Sequence, residues 1–429
     1  MPPFPERSPG VLLSPMGERA IAYDLITETA HQLNATAGTL LAACDGEGDV
    51  DAAVTAWAED AGIDRANVAA DVSAGLAMLT ELGLIGRDEP FDAPKPPAGS
   101  TEEAADGAVT GGAVTGRVHP VIDHNIALRG PQTEVLEALD TFLGTGTDAE
   151  KPTMFFDVHE TPEGELVLVT DYEWRFPSRE ACLRQLTSVV NEYAVWTHSC
   201  AAFHAGAVRS PDGQLVLLPA PSGNGKSTLT GAFVAAGWDY LGDEAIGVRP
   251  GSGMAVGYPK RLAIDASSRA VLNLPESDGG DLDPAEINAD VVRLDGDVGP
   301  VNRVVLPTYE EGAEATLQRL EPHEAVVELL ANTLNLARAG QAALDAVCDL
   351  AATVPVERLT HGNAHRAVAL VSTPPHNPRD KLPTPVAATK RCCVLGLQKD
   401  GDQERRHRGQ HTDHCQERCE HPALEPTES

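Results

Sequence analysis

The feature that most constrains the fold of this chain is a glycine-containing loop between a predicted strand and a predicted helix. Gln214–Pro219 reads as a strand that is apolar on both faces, as expected at the centre of a sheet, and apolar residues recur at helical spacing after Thr228. The loop itself consists of Ala220, Pro221, Ser222, Gly223, Asn224, Gly225, Lys226, Ser227 and Thr228. Strand, glycine loop and helix in this order predict an α/β domain with a nucleotide-phosphate loop.

The residue types in the loop suit the binding of ATP. Several backbone N–H groups must converge on a phosphate, which requires glycine wherever a Cβ would collide with it. Lys226 is then expected to reach the β- and γ-phosphates, and the Ser227 hydroxyl is expected to bind Mg²⁺. Ala220 stands where such loops usually have their first glycine, and alanine fits there if its φ is negative.

Two adjacent acidic residues follow the next predicted strand. Trp238–Gly242 predicts a short strand, and Asp243 and Glu244 come directly after it. Carboxylates at the end of a strand beside a phosphate loop can hold hydrated Mg²⁺ or accept the proton of an attacking hydroxyl. We therefore expect both residues, with Ser227, at a metal and catalytic site, and the sequence leaves open which carboxylate is the base.

A longer pattern around these residues resembles a known family. His204-Ala205-Gly206, the loop, Gly237 and the acidic pair are similar to the HPr kinase/phosphorylase family and its relatives with the phosphoenolpyruvate-carboxykinase-like P-loop fold. The resemblance extends more weakly through Gly257–Arg261, Val304–Tyr309 and a predicted helix at Pro322–Ala337, and it covers most of residues 118–375. It implies a catalytic role for His204, Lys226, Asp243 and Glu244.

The sequence also departs from that family. No Glu-x-Arg-Gly stretch follows the acidic pair, which argues against a true HPr kinase/phosphorylase. Lys260 and Arg261 are candidates for alternative phosphate contacts or for exposed cations beside a strand. An ABC-type ATPase is disfavoured because no Leu-Ser-Gly-Gly-Gln stretch follows the loop.

The N-terminal region is predicted to be a small helical module. Apolar residues recur at helical spacing in Ala35–Cys44, Val50–Ala61 and Val68–Leu82, and Gly83–Ile85 is predicted to begin a strand. The pattern His31–Asn34, Leu40-Leu41, Cys44-Asp45-Gly46, Asp71-Val72 and Leu79–Ile85 resembles the PqqD family of small winged-helix peptide chaperones. The resemblance implies a winged-helix-like peptide-binding domain at residues 1–90. A generic winged helix used for packing or dimerisation is the alternative.

Composition sets the remaining domain boundaries. Residues 91–117 are rich in Pro, Gly, Ala and acidic side chains and are predicted to be a flexible linker before the P-loop domain at residues 118–375. Residues 376–429 contain no aromatic residue and are predicted to be a disordered tail. The spacing of His and Cys in that tail matches no usual zinc site.

Charge and hydropathy exclude some classes of partner. The net charge of −32 disfavours binding to nucleic acid or to anionic lipid. No apolar run is long enough to span a membrane and the first residues do not resemble a signal peptide, so a cytoplasmic protein is expected.

Together these features predict an ATP-dependent, Mg²⁺-requiring kinase that phosphorylates a hydroxyl of a peptide or protein presented by the N-terminal domain. The alternatives are a nucleotide-binding regulator or assembly factor with little or no kinase activity, and a peptide-binding adaptor whose loop is structural. The sequence leaves open whether the chain forms a homo-oligomer.

Overall fold

The computed structural model describes residues 3–94 and 114–373, apart from short gaps at 132, 145, 147–150, 170–172, 197–198 and 278–279. Most of the predicted linker and the whole predicted tail at 376–429 lie outside these residues. The described residues belong to one compact unit with mixed α/β architecture and several sheets. None of the helices in these ranges is both long enough and apolar enough to cross a membrane.

The N-terminal region combines a sheet with a helical layer. The sheet is an antiparallel meander of β1 (Val11–Met16), β2 (Arg19–Asp24) and β3 (Thr29–Asn34). The helices are α1 (Ala35–Ala42), α2 (Val50–Ala61) and α3 (Arg65–Glu81). Each helix begins after a polar residue whose side chain accepts a hydrogen bond from a backbone N–H of the first turn: Asn34, Asp49 and Asp64.

The helices of this region were predicted correctly, whereas its sheet was not. The expected strand at Gly83–Ile85 is reduced to an isolated bridge between Ile85 and Arg7. The β structure lies instead before the helices, in β1 to β3. Four of the six residues of β2 are buried, because one face of the meander packs on its own helices and the other on the rest of the chain. Burial on both faces removes the alternating pattern by which a strand is recognised.

The middle region forms a second sheet with two helices packed on it. Its elements are β4 (Val114–Val121), β5 (His124–Gly130), α4 (Thr133–Leu143), β6 (Met154–Glu160), β7 (Leu166–Val169), β8 (Glu173–Phe176) and α5 (Arg179–Ala194). The strand order is β4-β5-β6-β7-β8. Ser178 caps α5 with its side chain, and β6 and β7 form an antiparallel hairpin.

The largest sheet carries the glycine loop. The elements of this region are β9 (Ala201–Arg209), β10 (Leu215–Pro219), α6 (Lys226–Ala235), β11 (Asp239–Gly242), β12 (Ala245–Val248), β13 (Met254–Gly257), β14 (Leu262–Ile264), α7 (Ala266–Val271), β15 (Gly280–Leu282), α8 (Pro284–Ile287), β16 (Gly296–Pro300), β17 (Arg303–Tyr309), β18 (Thr316–Arg319), α9 (Pro322–Leu330), α10 (Leu336–Ala339), α11 (Gln341–Thr353), β19 (Val356–His361) and α12 (Ala364–Val371). The order is β16-β13-β12-β9-β10-β17-β19-β18, and β11 pairs with β9. Strands β10, β17 and β19 are parallel, so their carboxyl ends meet at one edge of the sheet, where the loop begins.

Helices cover both faces of this sheet. Residues of α9 and α11 share one core with β9 and β17, while residues of α6 and α12 share the core on the opposite face. The single helix expected at Pro322–Ala337 is in fact interrupted between α9 and α10. The interruption places the side chain of Asn335 against the backbone of β9, where it accepts from Ala202 N at 2.8 Å and donates to Cys200 O at 3.0 Å.

The N-terminal meander docks on the helical layer of the largest sheet. Met16 and Ile21 are buried in the same core as α11. The side-chain amide of Gln341 also pairs with the outer edge of β1, donating to Leu13 O at 2.9 Å and accepting from Leu13 N at 3.3 Å. The Gln341 amide thus takes the hydrogen bonds that a neighbouring strand would make with the outer edge of β1. At the other side of the meander, no strand pairs with the outer edge of β3 among the described residues.

This docking predicts that the N-terminal region is stabilised by the rest of the chain. Ile21→Ala should lower the free energy of unfolding by about 2–4 kcal/mol, because Ile21 is only 3% exposed and loses contacts in a shared core. Chemical denaturation monitored by circular dichroism measures this difference. Val292→Ala is the matched control, since Val292 is 50% exposed and its truncation should change stability by less than about 0.5 kcal/mol. A loss equal to that of the control would show that the meander does not dock as described.

Candidate functional site

The glycine loop has the backbone geometry expected of an anion-binding loop. Gly223 and Gly225 have φ values of 89° and 75°, in the region that side-chain-bearing residues rarely adopt. Gly225 is also the N-cap of α6. The first backbone N–H groups of that helix have no partner within the helix and are therefore available to an anion in the loop. Ala220 is buried and is not among the described residues with positive φ, so alanine fits this position as expected.

Lys226 is the most unusual charge in the site. Lys226 is the first residue of α6 and is only 6% exposed. Its Nζ has no hydrogen-bond partner in the described part of the chain. Burial lowers the pKa of Lys226 to about 8, although Glu244 and Asp243 lie close enough to oppose the shift. A buried ammonium without a partner is unfavourable, and an anion bound in the loop would remove that cost.

Asp243 is buried and held by several donors. It accepts hydrogen bonds from Lys260 Nζ at 2.8 Å, Tyr240 Oη at 3.2 Å and Ala263 N at 3.3 Å, and a further one from the Ser227 hydroxyl. Burial alone would raise the pKa of Asp243, but the neighbouring cations and the hydrogen bonds lower it below its ordinary value. Asp243 is therefore a fixed carboxylate that connects the loop serine to the end of β11.

Glu244 is more exposed than Asp243 and faces a histidine. Its side chain is 38% exposed, and its Oε1 lies 3.8 Å from His204 Nε2. His204 belongs to β9, and its carbonyl accepts a hydrogen bond from Ala220 N at 3.3 Å, which fixes the strand beside the loop. The structure thus brings together the residues that the sequence singled out. Lys226 and Ser227 follow β10, Asp243 and Glu244 follow β11, and His204 lies in the antiparallel strand β9 beside the end of β10.

The glycine of the His-Ala-Gly pattern has a packing role. A Cβ built on Gly206 would lie 2.3 Å from Thr230 Oγ1, a distance that real side chains do not reach. Gly206 therefore allows α6 to lie close against β9. This close packing sets the position of the helix N-terminus relative to His204.

Lys260 is buried and paired with the acidic residues, which the sequence did not indicate. Rather than an exposed cation, it is only 3% exposed, and its Nζ lies 2.8 Å from Asp243 Oδ1 and 3.7 Å from Glu244 Oε2. Burial opposes its charge, yet Asp243 and Glu244 raise its pKa above the ordinary value. Arg261, in contrast, pairs with carboxylates outside the acidic pair: its Nη2 lies 3.5 Å from Glu286 Oε1, and its Nη1 lies 4.0 Å from Asp283 Oδ2. No local motif marks Lys260, because it reaches the acidic pair only through the turn that follows β13.

The side chains present fit Mg²⁺ better than a metal that needs an all-protein site. No group of three His, Cys, Asp or Glu side chains suited to a metal ion occurs among residues 3–94 and 114–373. Mg²⁺ usually takes one or two protein oxygens and completes its shell with phosphate oxygens and water. The Ser227 hydroxyl and the Asp243 carboxylate provide such oxygens beside the loop.

Comparison with known proteins identifies the N-terminal region. The family model described as Coenzyme PQQ synthesis protein D (PqqD) matches residues 11–85. Residues 11–85 are a PqqD domain. The match spans the meander β1 to β3 and all three helices, so the missed sheet is an integral part of the PqqD domain.

A comparison with solved structures gives a weaker similarity to part of the chain. A solved structure described as the Hpr(Ser) kinase/phosphatase from Coxiella burnetii is 12% identical and covers 40% of this chain and 91% of that chain, with a TM-score of 0.24. That TM-score is too low to carry an argument about the fold. No curated protein matches the chain.

The unpaired Lys226 predicts opposite effects on stability and on ligand binding. Lys226→Met should raise the melting temperature of the ligand-free protein near pH 7, because it removes a buried charge worth roughly 1–3 kcal/mol. The pKa of Lys226 in the folded chain is about 8, below its ordinary value of 10.5, so protonation disfavours folding at pH values below 8. The gain should therefore be largest below pH 8 and fade as the pH rises towards 10.5.

We expect millimolar Mg-ATP to raise the melting temperature of the wild type and not that of Lys226→Met, since a ligand stabilises only the state that binds it. Differential scanning fluorimetry measures both effects. Lys151→Met is the matched control, because Lys151 is exposed and lies on another region of the chain. A Lys226→Met variant that is less stable than the wild type at pH 7 and still responds to Mg-ATP would contradict the role of Lys226 as a buried charge that binds an anion.

Proposed function

We propose that this protein is an ATP-dependent kinase of the HPr-kinase-like type that phosphorylates a hydroxyl group of a peptide or protein bound by its PqqD domain. The observation that carries the proposal is the buried Lys226 ammonium without a partner, at the N-terminus of α6 and beside Ser227 and Asp243. Such an arrangement suits the phosphates of a nucleotide with Mg²⁺. We propose a peptide or protein as the acceptor because residues 11–85 form a PqqD domain.

The two carboxylates are assigned different roles by their surroundings. Asp243 already accepts several hydrogen bonds and has a lowered pKa, so it is suited to support Mg²⁺ with Ser227 and poorly suited to take a proton. Glu244 is partly exposed and lies near His204, where an acceptor hydroxyl can approach. We assign Glu244 as the proton acceptor and His204 as the group that orients it.

The proposed reaction follows from these positions. The acceptor oxygen attacks the γ-phosphorus of ATP and passes its proton to Glu244, a new O–P bond forms, and the bond from the γ-phosphorus to the β–γ bridging oxygen breaks to release ADP. Lys226 and the N–H groups of the loop stabilise the charge on the transferring phosphoryl group. Mg²⁺, when bound, neutralises charge on the β- and γ-phosphates.

The acceptor peptide is expected to bind at the open edge of the PqqD sheet. Gln341 occupies the outer edge of β1, whereas no strand pairs with the outer edge of β3 among the residues the structure describes. An extended peptide can add to such an edge through main-chain hydrogen bonds. The docked meander would then keep the bound peptide attached to the same compact unit as the glycine loop.

A second function is favoured by one observation. Lys260 lies between Asp243 and Glu244 and neutralises part of their charge, which is also what a nucleotide-binding regulator without catalysis would need. Such a protein would bind Mg-ATP and respond to it without transferring phosphate.

Substitution of the two acids separates the candidates. Incubation with γ-labelled Mg-ATP and candidate precursor peptides from the genomic neighbourhood measures transfer. Glu244→Gln should keep nucleotide-induced stabilisation and reduce transfer by roughly 10²–10⁴-fold, because a general base acts on the transferring step. Asp243→Asn should lose stability by about 3–5 kcal/mol, because it leaves Lys260 buried without its carboxylate.

Glu163→Gln serves as the control, since Glu163 is exposed in the turn between β6 and β7. If the wild type binds Mg-ATP but labels no peptide, the regulator takes the place of the kinase. Transfer by Glu244→Gln at the wild-type rate would refute the assignment of the base.

A further inference from the structure

Two aromatic side chains beside the glycine loop have no part in the proposed chemistry. Tyr309 and His361 are the last residues of the parallel strands β17 and β19, and they are paired in the register of the sheet. Their rings meet edge to face, with centroids 5.9 Å apart and an interplanar angle of 71°. They therefore form one aromatic unit at the same edge of the sheet as the loop.

The strand periodicity shows which face of the sheet this unit occupies. Side chains alternate between faces along a strand, so Tyr309 points to the same face as Val305, and His361 to the same face as Leu359. Val305 and Leu359 both belong to the core that contains α6. The aromatic unit thus lies on the face of the sheet where α6 begins.

The distance to the loop is short. A Cβ built on Gly225 would lie 3.5 Å from the Cβ of Tyr309, so the tyrosine is next to the N-cap of α6. The Tyr309 side chain is 50% exposed, although tyrosine has a large apolar ring. An exposed aromatic face immediately beside a phosphate-binding loop is available to a flat ligand group.

His361 is unsatisfied as a polar group. It is only 2% exposed, and neither Nδ1 nor Nε2 has a hydrogen-bond partner within the described ranges. An unpaired polar group in the interior is unfavourable, and packing alone does not explain why it is kept. Burial also lowers the pKa of His361, so at neutral pH the ring is uncharged and offers one donor and one acceptor.

We propose that Tyr309 and His361 form the subsite for the aromatic base of the nucleoside triphosphate. Tyr309 stacks on the base while the phosphates occupy the glycine loop, and His361 supplies a hydrogen bond to an edge of the base. This inference rests on the proposed function for the presence of a nucleotide and adds the residues that recognise its base. Neither residue belongs to the motifs that the sequence singled out for catalysis.

The test compares Mg-ATP with Mg-tripolyphosphate, which has the phosphates without the base. Stacking of a base on an aromatic side chain contributes about 1–3 kcal/mol, so the wild type should bind Mg-ATP roughly 5–150-fold more tightly than Mg-tripolyphosphate. Tyr309→Ala should remove most of this preference and leave the affinity for Mg-tripolyphosphate unchanged, as measured by isothermal titration calorimetry. Tyr309→Phe should restore most of the preference, because phenylalanine keeps the ring.

Retained binding of Mg-tripolyphosphate shows that each variant is folded and that its loop is intact. Val327→Ala, a truncation of a 49% exposed side chain on α9, is the control for loss of surface apolar area. The inference is overturned if Tyr309→Ala keeps the preference for Mg-ATP, if it weakens both ligands equally, or if it raises only the KM for the acceptor peptide. Absence of peptide labelling with an intact base preference would reject the kinase and leave the base subsite standing. Failure of the wild type to bind either ligand would reject both.

Discussion

The unpaired ammonium of Lys226 is the constraint around which the candidate site is organised. A charge that is 6% exposed needs either a counter-charge or a bound anion, and Asp243, the nearest fully buried carboxylate, is already paired with Lys260. Asp243 and Glu244 carry two negative charges, and Lys226 and Lys260 carry two positive charges, so the site is balanced only when it is counted as a group. Within this group the Lys226 ammonium, at the end of the loop, has no hydrogen-bond partner in the described part of the chain, and a phosphate held by the loop would supply one.

The position of this charge depends on contacts that lie far apart in the sequence. Gly206 allows α6 to approach β9, and Asn335 fixes the backbone of β9 from the interrupted helix region. On the other side of the same helical layer, Gln341 and the core around Ile21 hold the PqqD domain. The glycine loop and the PqqD domain are therefore attached to one framework, as the proposed transfer to a bound peptide requires.

Local patterns in the sequence predicted the parts of the site that are built from consecutive residues. The strand β10, the loop, the start of α6 and the acidic pair after β11 are of this kind, and the predicted start of α6 at Thr228 differs by two residues from the observed start at Lys226. Lys260 was predicted only as a candidate phosphate contact or an exposed cation, and the aromatic unit of Tyr309 and His361 was not predicted as part of the site. Contacts between residues far apart in the sequence bring these side chains to the loop, and a local pattern does not show such contacts.

In the PqqD domain too, local patterns predicted some elements and missed others. Its helices have caps and amphipathic spacing, so their positions were predicted within a few residues. Its meander was missed because β2 is buried against the helices of its own domain on one face and against the core of the largest sheet on the other. The break between α9 and α10 was missed because its cause, the bond of Asn335 to β9, involves residues more than 130 positions apart.

Proton uptake on binding of Mg-ATP tests most directly whether Lys226 is held for a phosphate. With a pKa of about 8 in the free protein, Lys226 is mostly neutral at pH 8.5, and phosphate oxygens favour its charged form. Calorimetric titrations at pH 8.5 in buffers of different ionisation enthalpy should therefore show net proton uptake on nucleotide binding, and this uptake should fall close to zero at pH 6.5. Binding of Mg-ATP without proton uptake at pH 8.5, or with the same uptake in Lys226→Met, would contradict the account.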